Sequence, residues 1–124
     1  MATMTKAARK AERLQNITRR VCAAMAEVNG NPPDVSDVIA FIQKWDRMAE
    51  SLRKRWENEC SYEWADTEAY RNGTERAEKR LVASVRETGL HSYLQTDPRG
   101  AALYVDSKPM TDQTYTNAIC VCLD

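Results

Sequence analysis

The spacing of apolar side chains changes once along this chain, near Gly89, and that change limits the folds open to it. Before Gly89 apolar residues recur every three or four positions, as on one side of a helix. After it they alternate, as on a half-buried strand. Helices followed by strands are typical of an α+β fold. We therefore predict one α+β domain over residues 1–124, helical over about 5–89 and β over about 90–124.

Two helices joined by a short link are predicted for the first half. The first covers residues 5–28 and ends before Pro32-Pro33, because proline cannot continue the hydrogen-bond ladder. The second covers 34–60, with Asp34 as its N-terminal cap. Its apolar residues form what we call the apolar seam: Val35, Val38, Ile42, Trp45, Ala49, Leu52 and Trp56. A link of about five residues favours a helical hairpin, whose seam pairs either within one chain or with a second copy.

A third helix and a small sheet are predicted for the second half. Asp66 or Asn72 can start the helix, the latter with Glu75 at capping-box spacing, and Gly89 can end it. Asp97-Pro98-Arg99-Gly100 has the residues of a tight turn. Strands are expected over 90–96, 101–105 and 118–123. The sequence thus predicts a three-stranded antiparallel meander after the helices.

Charge is balanced over the chain but not along it. Eighteen basic residues oppose eighteen acidic ones, which argues against a dedicated nucleic-acid binder. Residues 1–33, however, carry six basic and two acidic groups, a net +4, so nucleic-acid binding through this first helix stays as an alternative. The longest apolar run is too short to cross a bilayer, and the charged N-terminal residues are unlike a signal segment. We expect no membrane partner, a cytoplasmic location and reduced cysteines.

The residues that could carry chemistry do not form a recognisable pattern. Cys120 and Cys122 would share one face of a strand, and with Cys60 and His91 they match the donor set of a zinc site. The usual Cys-x₂-Cys spacing is missing, and cysteine is a common core residue. His91 has no nucleophile at a diagnostic spacing, and no phosphate-binding glycine loop occurs. We expect no catalytic residues, no metal, no cofactor and no enzymatic activity.

Two groups of residues are candidate binding sites. At the predicted turn, the guanidinium of Arg99 and the N–H of Gly100 can hold a phosphate, and tyrosines on the adjoining strands can flank a ring. The candidate ligand-binding residues are Arg99, Gly100, Tyr93, Tyr104 and His91. The alternative is that Arg99 pairs with a helix acid and the tyrosines pack. A second group, a candidate protein-interaction surface, consists of Trp45, Trp56, Tyr62 and Trp64.

The segments 97–105 and 115–121, Asp-Pro-Arg-Gly-Ala-Ala-Leu-Tyr-Val and Tyr-Thr-Asn-Ala-Ile-Cys-Val, resemble the closing segment of small accessory proteins of tailed phages. Those proteins also place a charged helical region before an Asp-Pro-Arg-Gly turn. The resemblance covers about a third of the chain and includes no catalytic motif. It implies a phage or prophage origin and expression in the cytoplasm of a bacterial host.

Small phage proteins of this kind commonly act by binding. Together with the long apolar seam, the aromatic stretch Tyr62-Glu63-Trp64 and the lack of a catalytic motif, the resemblance favours a non-enzymatic interaction protein that blocks a host defence component through its helical hairpin. The apolar seam also leads us to expect a homo-oligomer. The alternative is that the protein sequesters a phosphate-bearing nucleotide signal at the Arg99 turn.

Overall fold

Three helices precede three strands in the computed structural model, which describes residues 5–59, 68–97 and 100–123. The elements are α1 (Lys6–Asn29), α2 (Val35–Glu59), α3 (Glu68–Arg86), β1 (His91–Asp97), β2 (Gly100–Asp106), a 3₁₀-helix (Tyr115–Asn117) and β3 (Ile119–Val121). The strands form an antiparallel sheet in the order β1-β2-β3. The predicted α+β fold with a C-terminal meander is confirmed.

Polar side chains and a glycine define the ends of the helical hairpin. At the start of α1 the Thr5 hydroxyl accepts a hydrogen bond from the N–H of Ala8. Gly30, at φ +80°, ends α1 and donates its N–H to the carbonyl of Ala26. At the start of α2 the Asp34 carboxylate accepts from the N–H of Ser36 at 2.9 Å, so its predicted capping role is confirmed.

The start of α3 differs from one of the two predicted positions. The helix already runs from Glu68, so Asn72 lies one turn inside it and is not its cap. The Asn72 carbonyl accepts a hydrogen bond from Arg76 Nε, as an interior position permits. The other predicted start, Asp66, lies outside the described residues. Burial of Leu81 and Val85 anchors the helix, and such packing outweighs a local capping signal.

The helices form one layer against a single face of the sheet. α2 packs on β2 between its two neighbours, while α1 lies toward β3 and α3 toward β1. The core between the layers consists of Ile17, Val21, Ala24, Met25, Val38, Ile42, Trp45, Leu52, Leu81, Val85, Leu90, Ala101, Leu103, Val105, Ile119, Val121 and Leu123. Alternate residues of β2 and β3 contribute to it, as expected for a sheet covered on one side.

The apolar seam packs inside its own chain over the positions whose side chains are described. Residues from Val38 to Leu52 in the seam are buried, whereas Val35 at its start is 56% exposed. The side chain of Trp56 lies outside the described residues. Trp45 has no exposed surface and donates its indole N–H to the Ser84 hydroxyl on α3 at 3.0 Å. The seam therefore joins the two layers of this molecule.

Candidate functional site

The face of the sheet opposite the helices carries Tyr93 and Tyr104, two of the residues that the sequence assigned to a ligand. We call this face the outer sheet face. In the register of the sheet Tyr93 pairs with Tyr104, and Tyr104 pairs with Cys120. Their neighbours at Leu94 and Leu103 point to the core side, because successive side chains alternate between faces. Tyr93, Tyr104 and Cys120 therefore lie side by side across all three strands.

A third tyrosine completes the aromatic group on the outer sheet face. The ring of Tyr115 stacks on Tyr93 with centroids 4.8 Å apart and an angle of 9° between the rings. It meets Tyr104 edge-on, also at 4.8 Å, while Tyr93 and Tyr104 are 6.5 Å apart. These distances are typical of favourable aromatic pairs. The three half-buried rings form a cluster, which we call the tyrosine cluster.

Tyr115 reaches the sheet from the connection between β2 and β3. The N–H groups of Thr114 and Tyr115 both donate to the carbonyl of Thr111, and the N–H of Thr111 donates to the Thr114 hydroxyl at 2.8 Å. These bonds fold the connection into a compact turn that leads into the 3₁₀-helix. No alternation or helical spacing marks this segment, so sequence reasoning placed Tyr93 and Tyr104 together but missed Tyr115.

Tyr104 and Cys120 modify one another's acidity. Tyr104 and Cys120 are direct cross-strand neighbours of β2 and β3. Burial raises the pKa of Tyr104, and the neighbouring Cys120 adds to the effect. Burial also raises the pKa of Cys120, with a further increase from Cys122 and a partial decrease from the Tyr104 hydrogen bond. Near neutral pH Cys120 is therefore a protonated thiol, a weak nucleophile and a weak metal ligand.

Only some of the predicted zinc donors are among the described residues. Cys120 lies on β3 and Cys122 just after it, neither of them in a disulfide, and Cys60 lies outside the described residues. Across the described parts of the chain no group of three or more metal-ligating side chains occurs.

Four of the five candidate ligand-binding residues, His91, Tyr93, Tyr104 and Gly100, are described, and they spread along the first hairpin. Asp97 pairs with Gly100, so the turn falls where the sequence predicted it, and Arg99 lies outside the described residues. At about 3.3 Å per residue, Tyr93 is about 13 Å from Asp97 along β1. His91 is exposed at the opposite end of the strand, about 20 Å from the turn. One nucleotide-sized ligand cannot reach from His91 to the turn, and ligand binding by the five residues stays a prediction.

The predicted aromatic interaction surface is also changed by the fold. Trp45 is sealed in the core and is not accessible to a partner. Tyr62, Trp64 and the side chain of Trp56 lie outside the described residues. Trp45 follows the seam, and because a seam position can face either the core or a partner, its sequence spacing did not distinguish the two.

Among the described residues of the helical hairpin, a groove between α1 and the start of α2 presents accessible apolar surface. This hairpin groove has a volume of about 620 Å³ and is lined by Ala11, Leu14, Gln15, Thr18, Arg19, Cys22, Val35 and Ile39. Val35 is its most exposed large apolar residue, and burial raises the pKa of Cys22. Sequence spacing assigned Leu14 and Val35 to packed stripes, so the groove was not predicted.

Two further findings bear on the class of protein. None of the helices in the described residues combines the length and apolar character needed to cross a bilayer. No protein-family model matches the chain, and searches of curated proteins and of solved structures find no similar protein.

Proposed function

We propose that this protein acts by binding another protein, which docks an amphipathic helix in the hairpin groove. The observation that carries the proposal is the groove itself: an apolar channel between two helices, with Val35 56% exposed. Helix-in-groove binding requires such a channel, because the partner contributes apolar side chains at spacings of three and four residues. Leu14, Cys22 and Ile39 supply partly buried walls for those side chains.

The chemistry of the groove favours binding over catalysis. Its described lining includes the thiol of Cys22, and the raised pKa of that thiol keeps it protonated near neutral pH. Of the described residues that line the groove, Arg19 is the one with a charge. An acidic residue flanking the apolar face of the partner helix would complement Arg19. We therefore expect a partner helix with a negative flank.

The biological setting proposed for this interaction is a phage accessory protein that blocks a host defence component. It is supported by the resemblance of segments 97–105 and 115–121 to tailed-phage accessory proteins. By binding a helix of the defence component in the hairpin groove, the protein would block that component without catalysing a reaction. The setting places the protein in the bacterial cytoplasm.

A matched pair of valine substitutions tests the hairpin groove. Val35 lines the groove, whereas Val28 is an exposed valine of α1, 40% exposed, that is not part of it. A host protein that co-purifies with the tagged chain would be identified and its affinity measured by calorimetry. We expect Val35→Ser to weaken that affinity about 5- to 30-fold, as loss of an interface anchor does, and Val28→Ser to leave it within twofold. Equal effects of the two substitutions would contradict the proposal.

A second copy of the chain is the competing occupant of the hairpin groove. The proposal that the protein is a homo-oligomer is tested by light scattering of the purified chain. If the chain forms a dimer that Val35→Ser converts to a monomer, the groove is the dimer contact and the heterologous partner is ruled out there. A dimer that survives Val35→Ser leaves the groove free for the proposed partner.

A second candidate function, sequestration of a nucleotide, is favoured by the tyrosine cluster. Aromatic rings on a sheet face provide stacking surfaces for a base, and Tyr93 and Tyr104 already lie together there. The base would stack at the cluster, and the phosphate would extend toward the turn that contains Arg99. Calorimetry with a panel of mono-, di- and cyclic nucleotides tests this directly. Tyr93→Leu should abolish binding and Arg99→Ala should weaken it; binding unchanged in both variants would exclude this site.

A further inference from the structure

The ring of Tyr115 fills the place on the outer sheet face that a planar ligand would take. It lies almost parallel to the Tyr93 ring, with centroids 4.8 Å apart and an angle of 9°, and it meets Tyr104 edge-on at 4.8 Å. These are geometries in which two aromatic rings attract one another. The two strand tyrosines therefore form a surface that accepts a flat ring, and a ring of the protein itself already lies on it.

Tyr115 belongs to a segment whose hydrogen bonds stay within the segment. We call residues 108–117, which lie between β2 and β3, the strap. The hydrogen bonds described for the strap join residues between Thr111 and Ala118. All residues of the strap are exposed except Met110 and Tyr115, which are half-buried. The strap is therefore a self-bonded unit that rests on the sheet through the ring of Tyr115.

Both ends of the strap are anchored to the body of the protein. Before it, the Ser107 hydroxyl donates to the Glu27 carboxylate of α1 at 3.2 Å, and the Ser107 N–H donates to Asp106 Oδ1 at 2.7 Å. After it, Ala118 and Ile119 are buried. Because the strap between these anchors contributes few buried residues, it can open without disturbing the core.

We propose that Tyr115 is a gate on the tyrosine cluster: it occupies the stacking place of a planar aromatic ligand until the strap swings away. The inference rests on the second candidate function, because the ligand that the gate admits is the base of a nucleotide. A base has the flat shape and the π-surface of a tyrosine ring, so it can take the same place against Tyr93 and Tyr104. In its closed form the protein covers its own binding surface.

The closed form is expected to be only modestly favoured over the open one. The gate is held by two ring pairs, Tyr115 with Tyr93 and Tyr115 with Tyr104. Together, two pairs of this kind favour the closed form roughly 10- to 100-fold, which leaves about 1–10% of the molecules open. A ligand that binds only the open form loses the same factor in apparent affinity. The gate thus sets the concentration at which a nucleotide is bound.

Calorimetry with adenosine and cytidine monophosphates, one purine and one pyrimidine, tests the gate. Tyr115→Ala removes the ring that covers the surface, so this variant should bind both about 10- to 100-fold more tightly than the native protein. Tyr115→Phe keeps a ring in the same place and should bind like the native protein. Thr116→Ala, at an exposed neighbouring position in the strap, controls for general changes in the segment.

Nuclear magnetic resonance of the native protein gives a second measurement that does not depend on a variant. The ring protons of Tyr115 should have resonances displaced by the Tyr93 ring on which it stacks. When adenosine monophosphate binds, these resonances should move to the values of an exposed tyrosine, because the ring has left the cluster. Ring protons that stay displaced in the complex would show that Tyr115 remains in place, and would overturn the proposal.

The calorimetric outcomes separate failure of the gate from failure of nucleotide sequestration. If the native protein and Tyr115→Ala bind a monophosphate equally, sequestration stands and the gate is wrong. Weaker binding by Tyr115→Ala would make Tyr115 a wall of the site and would also overturn the gate. Binding by neither protein would overturn both the gate and the second candidate function.

Discussion

Two glycines of this protein adopt the same backbone conformation in very different surroundings. Gly30 (φ +80°) and Gly89 (φ +83°) both lie in the left-handed region that side chains disfavour. A Cβ at Gly30 would meet open space. A Cβ at Gly89 would lie 2.9 Å from Asn29 Oδ1 and 3.1 Å from Val28 Cγ1. Gly89 is therefore required both for its φ angle and for the close approach of α1 to the end of α3.

Alanine at these two positions should separate the two requirements. We expect Gly30→Ala to lower the free energy of unfolding by about 1 kcal/mol, the cost of a left-handed alanine. Gly89→Ala should cost about 2–4 kcal/mol, because Asn29, whose amide donates to the Thr88 carbonyl at 3.1 Å, must also move. Urea denaturation measures both values. A cost for Gly30→Ala that equals or exceeds that of Gly89→Ala would show that the packing argument is wrong.

For individual residues, the sequence predicted roles that depend on near neighbours better than contacts with residues far along the chain. Asp34 as a cap and Gly89 as a terminator depend on neighbours within four positions, and both were predicted. Trp45 was assigned to a contact surface, yet it is buried against Ser84, a residue 39 positions away. Periodicity identifies the apolar side of a helix but carries no information about what covers that side.

At the scale of elements, the beginning of α2 depends on the ionised form of one carboxylate. Hydrogen bonds from the side chain and the backbone of Ser36 lower the pKa of Asp34 below its usual value of 3.8. A carboxylate whose pKa is lower in the folded state stabilises the fold above the unfolded pKa. That contribution is lost as the pH falls through the lowered folded value.

This capping interaction gives a pH-dependent prediction. Asparagine can also cap a helix but does not titrate in this range, so Asp34→Asn should show a shallower loss of stability than the native protein below about pH 4. Near neutral pH the two proteins should differ little. Thermal melts from pH 7 to pH 2 measure the difference, and Asp112→Asn, at an exposed turn position, controls for general charge effects. Parallel curves for the native protein and Asp34→Asn would contradict the capping account.

The elements differ in how far local signals determine their bounds. α1, α2 and the first hairpin closely follow their predicted ranges, because caps, prolines and the turn mark their ends. α3 extends one turn before Asn72, and β3 covers Ile119–Val121 rather than residues 118–123. The 3₁₀-helix that positions Tyr115 was not predicted. In these places packing against other elements, which a local pattern does not contain, decides where an element begins or ends.

At the scale of the molecule, stability depends on one core between the helical layer and the sheet. Leu103 in the central strand is fully buried, whereas its cross-strand neighbour Leu94 on the edge strand is only partly buried. The core receives side chains from all three helices and all three strands or the segments that adjoin them. We therefore expect the two layers to unfold together as one cooperative unit.

Truncation of these two leucines should reveal the shared core. Leu103→Ala should lower the free energy of unfolding by about 3–5 kcal/mol, a large part of the 5–15 kcal/mol usual for a domain. Leu94→Ala should cost about 1–2 kcal/mol, because its surroundings are partly open to water. Urea denaturation followed by circular dichroism and by tryptophan fluorescence should give coincident transitions. Separate transitions for the helical and β parts, or equal costs for both leucines, would rule out a single core centred on β2.

What the sequence by itself determined is local: the change from helical to alternating spacing near Gly89, the cap at Asp34 and the turn between Asp97 and Gly100. Each depends on residues a few positions apart, whose interactions are set by backbone geometry. Only the tertiary structure decided which sheet face the helices cover. It thereby placed Tyr115 on the tyrosine cluster and left the hairpin groove open. Stacking of the layers brings distant side chains together, and no short-range spacing encodes those contacts.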